Sequence, residues 1–245
     1  MRPFLFFGAV LVAGMGVTVH AQRFSSGPAH TALIELYTSE GCSSCPPAER
    51  WLATLRDEPG LWRDFVPVEF HVNYWDRLGW PDRFATREFT QREYAYSAAW
   101  GSGSVYTPCV VRNGAEARAG MDLRAPAGAA PGVLTVILGT DGKCRVEFTP
   151  TTASRTAYEV HLVWLGGGIA SHVTAGENRG ETLRHEFVAL ALASHELAVA
   201  DGVLRAEFAL PRPAENSAPR RALAAWITRR GEPAAIQATG GWLEE

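Results

Sequence analysis

Glu35-Leu36-Tyr37-Thr38-Ser39-Glu40-Gly41-Cys42-Ser43-Ser44-Cys45-Pro46-Pro47-Ala48-Glu49 sets two cysteines three positions apart between two unlike runs. The residues before it, Thr31 to Tyr37, are mostly apolar or β-branched, and Leu33–Tyr37 reads as a strand. The residues after it read as a helix from Pro46 to Asp57, where Ala48, Trp51, Leu52 and Leu55 recur at three- and four-residue spacing. A helix N-terminus carries partial positive charge and free N–H groups, which favour thiolate over thiol. Cys42 is therefore the expected nucleophile, and Cys45 is near enough to resolve a mixed disulfide. Zinc sites use the same spacing, but no second C-x-x-C and no H-x-x-x-H accompanies it.

The N-terminus reads as a signal peptide over residues 1–21. Arg2 is followed by an uncharged apolar run from Phe4 to Val19, and Val19-His20-Ala21 has small residues where cleavage needs them. Export to the periplasm or beyond follows, and no stable membrane span is expected once the segment is removed. All four cysteines, Cys42, Cys45, Cys109 and Cys144, lie beyond it, an even count that suits an oxidising compartment. A net charge of −3 gives no reason to expect nucleic acid as a partner.

Two textures divide the rest. From 31 to about 120, strand-like and helix-like runs alternate: a second strand over Phe65–Val72, a second helix over Thr86–Ala98, then Val105–Val111 leading into Asn113-Gly114, a strong hairpin signal. Ala125 to Gly132 is a small-residue connector rich in Pro and Gly. From 133 to 240 the pattern is of short strands: Val133–Leu138, Lys143–Thr149, Tyr158–Leu165, Ile169–Thr174, Val203–Leu210, Ala222–Thr228 and Ala234–Ala238. Leu183–Leu192 suits strand or helix equally. The expectation is an α/β domain over 30–124 followed by an antiparallel β-sandwich-like region over 133–240.

The order around the cysteines resembles the thioredoxin fold, in which a C-x-x-C ends a central strand and a cis-proline on a later strand packs beside it. Thr107-Pro108 occupies that slot. The opening stretch, His71-Val72-Asn73-Tyr74-Trp75-Asp76, Tyr106-Thr107-Pro108 and Gly176-Glu177-Asn178-Arg179-Gly180 together resemble an exported thioredoxin-like family catalogued as domain of unknown function 1223. Cys109 departs from that family's pattern.

The resemblance implies a site of Cys42, Cys45 and Pro108, with Glu35 as a buried proton relay and Thr107 beside a substrate strand; Trp75 and His71, at the C-terminal end of the second predicted strand where ligands bind in open α/β sheets, are expected to line the substrate groove. Glu40 is a second acid beside Cys42, and a hydrogen bond between His71 and Asp76 is the structural alternative for that loop. The implied activity is thiol-disulfide exchange with cysteine-containing proteins or a thiol redox partner, with no cofactor. Two other functions fit the residues: a non-catalytic binding module with a structural disulfide, or copper handling through Cys42, Cys45 and Cys109. Cys109 and Cys144 are also a possible pair, or plain buried thiols. His161, His172, His185 and His195 show no metal-ligand spacing.

Overall fold

The computed structural model describes residues 20–123, 130–152, 156–200, 202–213 and 218–244. Most of the expected signal peptide and of the Ala125–Gly132 connector lies outside them. Among the described residues no helix is long and apolar enough to cross a membrane.

The first half contains β1 (Gln22–Ser25), β2 (Ala32–Thr38), α1 (Pro46–Thr54), β3 (Phe65–His71), α2 (Arg87–Trp100), β4 (Cys109–Arg112) and β5 (Ala115–Ala117). The second half is all strand: β6 (Gly132–Leu138), β7 (Lys143–Pro150), β8 (Tyr158–Gly167), β9 (Ile169–His172), β10 (Thr182–His185), β11 (Val188–Glu196), β12 (Ala198–Ala200), β13 (Val203–Ala209), β14 (Arg220–Arg229) and β15 (Ala235–Trp242). A 3-10 turn over Leu55–Asp57 prolongs α1, and another covers Asn73–Leu78.

Local chemistry explains the boundaries. Pro46 and Pro47 start α1, where a missing N–H costs nothing. Thr86 caps α2 by accepting from the Phe89 N–H at 3.1 Å, and Gly101 ends it at φ 66°. Asn113 and Gly114 both take positive φ, the two-residue turn that joins β4 to β5. A Cβ on Gly114 would lie 2.4 Å from that of Ala234, so glycine is needed there for space as well as for φ.

Eight strands form a mixed sheet in the order β15-β14-β8-β11-β3-β2-β4-β5. β2 and β3 are parallel, as are β3 and β11, which meet at Glu69 and Val188; the other pairs are antiparallel. A second sheet, β1-β6-β7-β13-β12, covers the outer half of the first. Leu134, Val136 and Phe148 of the small sheet meet Val160, Leu162, Leu223 and Ile227 of the large one. The two layers pack face to face, and the small one includes β1 from the start of the described chain.

The division into two regions needs correction. Strands from both halves of the sequence hydrogen-bond into one sheet, across β3 and β11. β14 is buried on both faces: Leu223, Ala225 and Ile227 enter the sandwich core, while Ala222, Ala224 and Trp226 join β2 and β3 in the other core. Burying a large side chain is worth about 1.5–3 kcal/mol, so Trp226 binds the two parts together. The ambiguous run Leu183–Leu192 is two strands. They are separated at Phe187, a non-glycine residue at φ 60°.

Candidate functional site

Alternation along β2 and β3 sorts the polar residues onto two faces. Glu35 and Tyr37 pair with Val68 and Phe70 and face α2; Leu36 and Thr38 pair with Glu69 and His71 and face α1. The cysteines follow β2 on the α1 side. Cys42 and Cys45 form a disulfide, with Cα atoms 5.5 Å apart, and Cys45 is the residue that precedes the first turn of α1. The Thr107–Pro108 peptide bond is cis, and the Cys42 Sγ lies 3.9 Å from the Thr107 carbonyl oxygen and 3.3 Å from the Ser44 hydroxyl. The Trp75 indole N–H donates to the Thr107 hydroxyl at 2.8 Å. The structure thus brings Cys42, Cys45, Thr107, Pro108 and Trp75 together.

Both cysteines are 0% exposed. The cover comes from the loop between β9 and β10. The Asn178 amide donates to the Glu40 and Cys42 carbonyls, each at 2.9 Å. The Glu177 carboxylate accepts from the Ser43 N–H at 3.0 Å and the Ser43 hydroxyl at 2.7 Å, which holds its pKa below the usual carboxylate value. Two shallow clefts flank the pair. One, of about 290 Å³, is lined by Tyr106, Pro108 and Glu116; the other, of about 420 Å³, by Ser43, Pro46, Asn178 and Leu183.

This cover makes a specific prediction. Asn178→Ala removes two hydrogen bonds, each worth about 1 kcal/mol. If the loop must lift before a thiol reaches Cys42, disulfide reduction by dithiothreitol should accelerate on the order of tenfold, as followed by thiol trapping against time. An unchanged rate would show that the loop does not gate access.

Several expectations are corrected here. Glu35 faces away from the cysteines: it pairs with Arg92 at 2.7 Å and accepts from Tyr37 and Tyr96, so its place does not suit a proton relay to Cys45. His71 is fully buried and cannot line a substrate groove; its Nδ1 lies 2.6 Å from Asp82, not on Asp76. Cys109 and Cys144 are free thiols in different cores, so no bridge joins them, and burial pushes them up to about 12 and about 11. Among the described residues Cys109 is not grouped with the disulfide-bonded Cys42 and Cys45 at metal-ligating distance. The helix start also offers less than expected, because Pro46 and Pro47 lack the N–H groups that would face a thiolate.

Beneath the disulfide, on the α1 face, lies a buried polar group that the sequence did not reveal. It runs from Asp82 through His71, Glu69 and His185 to Glu40 at 2.6, 2.8, 3.0 and 3.3 Å. The Trp80 indole donates to Glu40 at 2.7 Å, and Thr38 donates to Glu49 at 2.5 Å. Burial works against charge on both imidazoles, yet Asp82 raises His71 well above its usual value. Glu40 and Glu69 likewise raise His185 to about 9. Burial, then the neighbouring Glu69 carboxylate, pushes Glu49 up to about 7. The signal for this group was present in His71, Glu49 and His185, but their separation in sequence hid it.

The family described as protein of unknown function (DUF1223) matches residues 33–228. The chain belongs to that family. The match spans both halves of the DUF1223 chain, from β2 to β14, in keeping with their shared sheet. No curated protein matches the sequence. Two solved structures share the fold. A crystal structure of an Agrobacterium tumefaciens protein is 23% identical with a TM-score of 0.60, over 89% of this chain and 98% of that one. HBP35 of Porphyromonas gingivalis is 14% identical with a TM-score of 0.60, over 88% of this chain and 76% of that one. At these identities the likeness is one of fold.

Proposed function

We propose that this chain is an exported, thioredoxin-like thiol-disulfide exchange protein that acts on cysteine-containing proteins in the periplasm or outside the cell. The observation that carries this is the Cys42–Cys45 disulfide at the β2–α1 junction, with the Thr107 carbonyl beside the Cys42 sulfur. From this oxidised form, a substrate thiolate attacks the Cys42 sulfur. A mixed disulfide forms as the Cys42–Cys45 bond breaks, and Cys45 leaves as a thiolate at the positive end of α1. A second substrate thiolate then attacks the substrate sulfur, releasing Cys42; the substrate is oxidised and the cysteine pair has gained two electrons. The reverse sequence reduces a substrate disulfide, and relative potentials set the direction. The cleft along Tyr106 and Pro108 is the groove for the substrate segment, next in sequence to Thr107, which Trp75 holds by its indole N–H. Residues 1–21 would direct export.

The test is equilibration in glutathione or dithiothreitol buffers of graded potential, with Cys42→Ser as control. A reversible two-electron transition in the wild type, with exchange catalysed above the control, is expected. If wild type neither equilibrates nor exceeds Cys42→Ser, exchange fails. The second reading then stands: a binding module whose disulfide is structural, which the complete burial of both cysteines favours.

A further inference from the structure

The buried polar group under α1 brings donors from three separate elements to one point. Glu69 and His71 come from β3, His185 from the end of β10, and Glu49 from α1. One ligand atom each from Glu69, His71 and His185 lies within 4.8 Å of the others. His71 Nε2 and His185 Nδ1 face the same oxygen, Glu69 Oε1, at 2.8 and 3.0 Å. Glu49 Oε2 is 3.8 Å from His185 Nδ1, while Thr38 holds the other Glu49 oxygen.

The outward nitrogen of each imidazole faces a carboxylate: His71 Nδ1 is hydrogen-bonded to Asp82 at 2.6 Å, and His185 Nε2 lies 3.3 Å from Glu40 Oε1 without a hydrogen bond. Metal-bound histidines characteristically have this backing, which fixes the ring and raises its basicity. A second observation points to a missing partner. Glu69 is 0% exposed, and its Oε2 has no hydrogen-bond partner. An orphaned carboxylate oxygen in a sealed core is costly unless something cationic meets it. Four carboxylates (Glu40, Glu49, Glu69 and Asp82) here surround two imidazoles.

We propose that Glu49, Glu69, His71 and His185 bind one divalent transition-metal ion of the zinc class. Two imidazoles and two carboxylates make a four-donor set that suits zinc, and the paired nitrogens argue against calcium or magnesium. Bonds of about 2.0–2.2 Å in a tetrahedron put neighbouring donors roughly 3.3–3.5 Å apart. The two imidazoles would therefore move back from Glu69 by about half an ångström, and Glu49, which lies outside the 4.8 Å cluster of the other three, would swing in further to complete the set. All four protein positions are filled, so the ion is structural: it ties β3, β10 and α1 together directly beneath the cysteines. This is independent of disulfide exchange, because no sulfur is a ligand.

The oxidised full chain is unfolded with EDTA, refolded with zinc chloride, desalted, and its zinc measured by mass spectrometry. A variant carrying Cys42→Ser and Cys45→Ser is treated in the same way, to exclude thiolate binding. One zinc per chain is expected in both. Glu49→Gln, which keeps the shape, and His185→Gln should each weaken zinc at least tenfold in competition with a chelator. Cobalt in place of zinc should give the visible bands of a tetrahedral site without thiolate charge transfer. No retained zinc, zinc lost with the two cysteines, or equal affinity in a natively folded Glu49→Gln would each overturn the proposal. Should His185→Gln fail to fold, Glu49→Gln decides alone.

Discussion

Arg92→Ala should lower the stability of the protein by about 3–5 kcal/mol, the usual cost of leaving one buried charge without its partner. The Arg92 and Glu35 side chains are 9% and 0% exposed and meet at 2.7 Å. The guanidinium also donates to the Tyr96 hydroxyl at 3.1 Å and the Pro233 carbonyl at 3.2 Å, and lies 4.9 Å from the Trp226 ring centre. Its loss removes a contact between α2 and β14, and leaves the Glu35 carboxylate with only two tyrosine hydroxyls. Urea denaturation at neutral pH measures the effect. Adding Glu35→Gln to the variant should recover part of the loss, since a neutral pair has no stranded charge. A loss below about 1 kcal/mol, the range of an exposed pair, would mean that water reaches Glu35. Exchange at Cys42 should be unaffected in the folded fraction, because Glu35 lies on the opposite face of the sheet.

The elements around the cysteines were legible because each has a local cause: the Pro46-Pro47 start, the Thr86 cap and the Asn113-Gly114 turn. The strands of the second half were legible from their apolar runs, except where local rules fail. Leu183–Leu192 breaks at Phe187 in a left-handed conformation that glycine usually takes, so nothing in the run marks the turn. β1 and β12 are only four and three residues long, too short for an alternating pattern to stand out. The single sheet was hidden because composition cannot show that β11 pairs with β3. For Glu35, alternation shows that Thr38 lies on the other face, but not which face α1 covers. His185 and Glu69 stand 116 positions apart, and the turn at Phe187 that brings them together was itself unreadable.

Cys45→Ser should convert a passing intermediate into a stable product. With Cys45 gone, the Cys42 thiolate attacks a disulfide-bonded peptide, one peptide thiol leaves, and no neighbouring thiol remains to displace the other. The adduct should therefore accumulate toward one per chain. Cys109 and Cys144 should stay unmodified, since both are buried and burial raises their pKa values. Cys42→Ser should form adduct at Cys45 at least on the order of tenfold more slowly, because the Thr107 carbonyl and the Ser44 hydroxyl lie beside the Cys42 sulfur while Cys45 caps α1. Mass spectrometry with peptide mapping reads all of this in one experiment. Adduct on Cys42 in Cys45→Ser, absent from Cys42→Ser over the same time, is the predicted result. No adduct in folded Cys45→Ser, when the unfolded chain reacts readily, would show that Cys42 never meets a substrate and that its disulfide is structural.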